Sequence, residues 1–91
     1  MIRVFSKEGC HFCDKAKALL EKHGYDYEEV RIDLDEDARN WLVNKGHRTV
    51  PQIYVDNSLL VEHGYEGLSE MTTKQIALKI RAIGEKNANR R

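Results

Sequence analysis

The chain opens on the apolar-rich run Ile2-Arg3-Val4-Phe5, which predicts a first strand over residues 2–5. Ser6-Lys7-Glu8-Gly9 reads as the turn that delivers Cys10 to the start of a helix. Within that helix Phe12, Ala16, Leu19, Leu20 and His23 fall at i, i+4, i+7, i+8 and i+11. Asp14, Lys15, Lys17, Glu21 and Lys22 cover the other faces, and Gly24 supplies a C-terminal stop. The period then changes from helical to alternating. Val30, Ile32 and Leu34 alternate with Arg31 and Asp33 and predict a second strand, with Tyr25 and Tyr27 on its flank. Strand, helix and strand in succession form a βαβ unit, whose strands are expected to be parallel and joined right-handedly.

Asp35-Glu36-Asp37 places acid in the first turn of a second helix, with Ala38, Trp41 and Leu42 on its inner side and Gly46 near its end. Thr49-Val50-Pro51 leads into a strand at Gln52-Ile53-Tyr54-Val55, Asp56-Asn57-Ser58 makes a turn, and Leu59-Leu60-Val61 returns as a hairpin partner. His63-Gly64-Tyr65-Glu66-Gly67 is expected to be a loop, followed by a short turn at Leu68 to Met71. Thr72-x-x-Gln75 forms a capping box for a last helix carrying Ile76, Ile80 and Ile83, which Gly84 is expected to end. The domain reading is therefore a single unit over residues 1–84 and a frayed polar tail over 85–91.

Composition narrows the function classes. Fifteen Lys plus Arg balance fifteen Asp plus Glu, so no basic excess argues for nucleic acid. No uninterrupted apolar stretch exceeds four residues and strand-like sequence begins at position 2, so neither a signal peptide nor a membrane span is expected. A cytoplasmic location and a monomer are the corresponding expectations. Ninety-one residues with 41% hydrophobic content can build one small core with little stability to spare.

The two cysteines, Cys10 and Cys13, carry the chemistry. A Cys-x-x-Cys opening a helix brings its sulfurs within disulfide reach and leaves the first thiol at the positive end of the helix dipole. Unpaired N–H groups there favour the thiolate, and thiol pKa values in such motifs span roughly 3.5 to 7.5. Cys13 lies one turn inside, better shielded and less acidic. In a reducing compartment such a pair is redox-active, catalytic or metal-binding rather than a structural staple. A zinc knuckle completed by two of His11, His23, His47 and His63 has the wrong spacing, and no metal site is assigned. His23 and His47 read as helix-end or loop residues, and Trp41 as packing.

The order strand, Cys10-His11-Phe12-Cys13, helix, strand, helix, Thr49-Val50-Pro51-Gln52-Ile53-Tyr54-Val55, hairpin and final helix resembles the dithiol glutaredoxins of the thioredoxin-like superfamily. The resemblance implies an α/β, thioredoxin-like fold with a central four-stranded mixed sheet flanked by three or more helices. It makes Cys10 the nucleophile and Cys13 the resolving thiol. Pro51 matches the family's cis-proline, which sets the Val50 backbone beside the active sulfur. Lys7 matches a lysine that meets a glutathione carboxylate and favours the thiolate, and Arg48 is a further candidate for that role. Phe12, Thr49, Val50, Gly64, Tyr65 and Glu66 complete the implied glutathione-binding set. No tightly bound cofactor is implied; glutathione is the reductant, and the partners are disulfide-containing or glutathionylated proteins, with ribonucleotide reductase a candidate. The short length suits a bacterial or phage-encoded member.

Two departures from the family pattern stand out. The usual Gly-Gly pair and following aspartate, which hold the γ-glutamyl end of glutathione, are replaced by His63, Gly64 and Gly67, with Glu66 beside the missing carboxylate. Between the cysteines, His11-Phe12 replaces Pro-Tyr, and a protonated histidine there stabilises the reduced thiolate and makes the disulfide more oxidising. These changes leave open a redoxin recharged by a flavoprotein reductase, and the two thiols leave open an iron–sulfur carrier or adaptor.

Overall fold

A computed structural model describes residues 1–88. Among them the elements run β1 (Ile2–Ser6), α1 (His11–Lys22), β2 (Tyr27–Arg31), α2 (Glu36–Asn44), β3 (Gln52–Val55), β4 (Ser58–Leu59), α3 (Gly64–Ser69) and α4 (Thr73–Ala88). The strands form one sheet in the order β2-β1-β3-β4. β1 pairs parallel with β2 and antiparallel with β3, and β3 pairs antiparallel with β4. This is the four-stranded mixed sheet and thioredoxin-like architecture that the glutaredoxin resemblance implies.

Alternation along the two central strands builds two cores. Ile2, Val4, Ile53 and Val55 face one side, where they pack with Ala16 and Leu20 of α1, Leu68 of α3, and Ile76 and Ile83 of α4. Phe5 and Tyr54 face the other side, against Leu42, Ala38 and Trp41 of α2. Trp41 stacks on Phe5 at 5.4 Å and meets Tyr54 edge-on at 5.0 Å, so it is a packing residue, as expected. Helices thus cover both sheet faces, and β1 delivers its C-terminal end, with the loop to α1, to one edge of the layered stack.

β4 is Ser58–Leu59 rather than Leu59–Val61, and three further element boundaries differ from the sequence reading. β2 spans Tyr27–Arg31 rather than centring on Ile32 and Leu34. The alternation of Ile32, Asp33 and Leu34 belongs to a turn: Leu34 N–H and Asp35 N–H both donate to the Arg31 carbonyl, and Leu34 is 77% exposed. Asp33 closes that turn by accepting from the Arg31 guanidinium and from the Glu8 N–H. The expected loop at His63–Gly67 is instead mostly helical, because Gly64–Ser69 forms α3 and buries Leu68.

Third, α4 passes through Gly84 and continues to Ala88. A glycine stops a helix by adopting a left-handed conformation, which Gly84 does not. Glu85 extends the helix with an i,i+4 pair to Arg81 at 3.2 Å. The capping box is formed as expected, Thr72 N–H donating to Gln75 Oε1 at 2.8 Å and Gln75 N–H to Thr72 Oγ1 at 3.1 Å. Residues 89–91 of the expected tail lie outside the described residues.

A polar cluster ties α1 to the edge strand β2. The buried Ser6 hydroxyl donates to Glu29 at 2.6 Å, and Lys17 Nζ donates to the same carboxylate at 2.8 Å. The Lys17 hydrogen bond, then that of Ser6, holds the Glu29 carboxyl below its ordinary value of 4.5. A depressed carboxyl stabilises the fold above its unfolded pKa and loses that contribution as pH falls through the folded value. Glu29→Gln should therefore cost about 1 kcal/mol at pH 7, a partly exposed site limiting the effect. Urea denaturation should show the two proteins converging below pH 4.5; a constant difference down to pH 3 would mean that the carboxylate charge is irrelevant.

Candidate redox site

Cys10 is the N-cap of α1, in an extended conformation (φ −93°, ψ 101°), and its sulfur accepts a hydrogen bond from the Cys13 N–H at 3.2 Å. An N-cap side chain takes up one of the four orphan N–H donors of a helix start. Here that side chain is a sulfur, so the same donor and the helix dipole favour a thiolate at Cys10 once the pair is reduced. The two cysteines are joined as a disulfide with Cα atoms 5.2 Å apart. Cys13 is 1% exposed, whereas Cys10 is half-buried and faces the surface. Facing Cys10 from the loop that leads into β3 is the Val50 carbonyl, 3.9 Å from its sulfur. The Val50–Pro51 peptide bond is cis, and Pro51 is buried.

Two cavities meet at Thr49 and Val50, which line both. The first, about 360 Å³, is bordered by Lys7, Arg39 and Arg48 above Ile32, Leu42 and Val43. His47 also lines it, but its Nε2 is 2.6 Å from the Tyr54 hydroxyl and so is committed to the fold. The second, about 300 Å³, is bordered by Phe12, Pro51, His63, Gly64, Tyr65 and Glu66. Together they make one cleft passing beside Val50, cationic at one end and carrying Glu66 at the other.

The second cavity is shaped by α3. Gly64, with φ +56°, presses against the proline loop so closely that a Cβ there would lie 2.6 Å from the Pro51 carbonyl oxygen. His63 takes the left-handed conformation (φ 67°, ψ 22°) just before it, an arrangement that costs a non-glycine residue about 1–2 kcal/mol. Tyr65 stacks on Phe12 at 6.0 Å, and Lys15 Nζ sits 5.6 Å and 5.7 Å from the two ring centroids. Phe12 is 56% exposed, so this aromatic pair forms an accessible rim beside the disulfide.

A glutaredoxin family model matches residues 2–60. The chain belongs to the glutaredoxin family. Glutaredoxin 3 of Escherichia coli (strain K12) is 38% identical over 56 residues, covering 60% of this chain and 68% of that protein. Glutaredoxin 1 of Rickettsia prowazekii (strain Madrid E) is 39% identical over 59 residues, 62% of each chain. Among solved structures, the holo form of glutaredoxin C1 from Populus tremula x tremuloides aligns with a TM-score of 0.69 and 26% identity, covering 87% of this chain and 80% of that one. The glutaredoxin-like NrdH-redoxin from Escherichia coli aligns at 0.59 with 25% identity, over 62% of this chain and 74% of that one.

With its Cys10–Cys13 pair, this glutaredoxin is a thiol-disulfide oxidoreductase. The fold brings Lys7, Phe12, Arg48, Thr49, Val50, Pro51, Gly64, Tyr65 and Glu66 around one cleft. Among the described residues no group of three or more His, Cys, Asp or Glu side chains is placed to hold a metal ion. His23 caps α1 and contacts the Thr73 hydroxyl at 2.7 Å, a helix-end role as expected. Arg39 was not legible as a site residue. The available signal is helical spacing: Arg39 stands three and four residues before Leu42 and Val43, which line the same cavity.

Proposed function

We propose that this glutaredoxin reduces protein disulfides and glutathione mixed disulfides, with glutathione as its reductant. The cleft that runs past Val50, 3.9 Å from the Cys10 sulfur, supports this reading best. An extended tripeptide or protein segment laid along Val50 brings its sulfur to Cys10. The Cys10 thiolate attacks that sulfur, a mixed disulfide forms and the other sulfur of the attacked bond leaves as a thiolate. Cys13 then displaces the bound partner and closes the Cys10–Cys13 disulfide. Two glutathione molecules return the pair to dithiols, leaving one glutathione disulfide, so electrons balance over the cycle. Lys7 and Arg48 meet the carboxylate end of glutathione, while Gly64, Tyr65 and Glu66 receive the γ-glutamyl end. The setting is a cytoplasmic monomer, and ribonucleotide reductase is one acceptor of its electrons.

A second reading draws on the same turn. Gly67 has no side chain to offer the glutathione ammonium, His63 stands where the family has glycine, and the NrdH-redoxin neighbour is described as having a thioredoxin-like activity profile. A flavoprotein reductase would then recharge the pair. The deciding measurement is steady-state reduction of a small glutathione mixed disulfide by glutathione. Turnover well above the uncatalysed exchange supports the first reading. No turnover, together with reduction of a protein disulfide when a thioredoxin reductase supplies electrons, replaces it with the second.

A further inference from the structure

The cationic end of the cleft holds more charge than one small carboxylate needs. Lys7, Arg39 and Arg48 converge on a cavity of about 360 Å³, and no carboxylate is among the described residues lining it. None of the three takes part in an ion pair among the described residues. The nearby Asp33 is spent on Arg31 at 2.6 Å and on the Glu8 N–H. Below the charges lie Ile32, Leu42 and Val43, and Val43 is 59% exposed. Unpaired cations beside the exposed Val43 and the half-buried Ile32 suit an acidic side chain whose methylenes pack on carbon while its carboxylate reaches the guanidinium groups. Arg39 and Arg48 can each bind such a group through two N–H donors.

We propose that this end is a subsite for an aspartate or glutamate of an extended, disulfide-bearing protein segment, one or two residues from the cysteine that Cys10 attacks. The proposal rests on the reading of Cys10 as the exchanging sulfur but not on glutathione as the reductant. The two ends of the cleft differ in charge, so the preference is directional. An acid on one side of the substrate cysteine enters the Lys7–Arg39–Arg48 cavity, whereas an acid on the other side faces Glu66. Exposed charges at the rim of a binding site act mainly on association, so selection appears in the rate of attack and fades with salt.

The test uses protein reduced with dithiothreitol and then desalted, with no glutathione present. Its substrates are symmetric disulfide dimers of short blocked peptides bearing Asp, Asn or Lys on one or the other side of the cysteine. In each turnover the protein dithiol becomes the Cys10–Cys13 disulfide and the peptide disulfide becomes two thiols. Rates are divided by those of dithiothreitol on the same peptides, which removes intrinsic differences in disulfide reactivity. The Asp peptide of one orientation should react about tenfold faster than its Asn counterpart, and the Lys peptide more slowly. That ratio should fall toward one in 1 M salt and in Arg39→Gln with Arg48→Gln. Equal rates for Asp and Asn in both orientations, or a ratio unchanged in the double variant, would overturn the subsite. An Asp preference in a protein that glutathione cannot recharge would keep the subsite and reject glutathione as the reductant.

Discussion

Cys10→Ser is expected to abolish disulfide reduction, at least a thousandfold, while Cys13→Ser keeps turnover on small glutathione mixed disulfides and loses it on protein disulfides. The asymmetry follows from where α1 puts the two sulfurs. Cys10 caps the helix, receives the Cys13 N–H at 3.2 Å and sits beside Val50 in the cleft. Cys13 is 1% exposed, so a substrate sulfur cannot line up with it unless the helix start opens. A nucleophile must be accessible and anionic; only Cys10 is both accessible and placed at the dipole's positive end. Replacing its sulfur with a hydroxyl oxygen removes a thiolate and leaves an alcohol that stays protonated near neutral pH.

Losing Cys13 leaves attack intact and removes only the internal escape from the mixed disulfide, which a second glutathione then has to resolve. Intact-mass analysis should show Cys13→Ser trapped as a mixed disulfide with a protein substrate, and Cys10→Ser never trapped. Activity surviving in Cys10→Ser, or trapping at Cys13, would reverse the two roles.

The parts of the fold that could be read from sequence are those set by residues close together in the chain. Cys10 and Cys13 share one helical turn, Thr72 and Gln75 one capping box, and Ile2, Val4, Ile53 and Val55 simple alternation, and each formed where expected. Local pattern misled where a turn imitated a strand: Ile32, Asp33 and Leu34 alternate correctly, yet the chain leaves the sheet at Arg31 because Asp33 bonds back to Arg31 and Glu8. Gly84 looked like a stop, but stopping requires a left-handed backbone, and Gly84 stays helical within α4. The cationic end of the cleft was only half legible. Lys7 and Arg48 flank recognisable motifs, whereas Arg39 reaches the site from α2 and is announced only by its helical spacing to Leu42 and Val43.

The turn at residues 63–67 separates two kinds of departure that sequence alone treats alike. His63 and Gly67 both differ from the family pattern, but only one of them can be reversed. A Cβ built on Gly67 would overlap the Glu62 carbonyl oxygen, lie 3.1 Å from the Glu62 carbonyl carbon and 3.5 Å from Val61 Cβ. The Glu62 carbonyl thus lies against Gly67 of α3, and the left-handed His63 follows it. The obstructing atoms are backbone and cannot rotate away, so the family's aspartate has no room at this position.

Gly67→Asp, made to restore glutathione binding, is therefore expected to destabilise the fold by about 3 kcal/mol or more. That is a large share of the roughly 5–15 kcal/mol available to a small domain. The urea midpoint should fall by about 2 M, and glutathione turnover should drop rather than rise, because α3 positions Gly64, Tyr65 and Glu66 in the cleft. Gly67→Ala should lose nearly as much, since the first added carbon already collides. His63→Gly provides the contrast. Relief of the left-handed strain is offset by the entropy a glycine adds to the unfolded chain, so stability should change by less than about 1 kcal/mol. If Gly67→Ala unfolds at the wild-type urea concentration while Gly67→Asp does not, charge rather than contact with Glu62 governs the position. If both keep the wild-type midpoint and Gly67→Asp speeds glutathione turnover, the close approach of Glu62 to α3 yields easily and the missing carboxylate alone had limited glutathione binding.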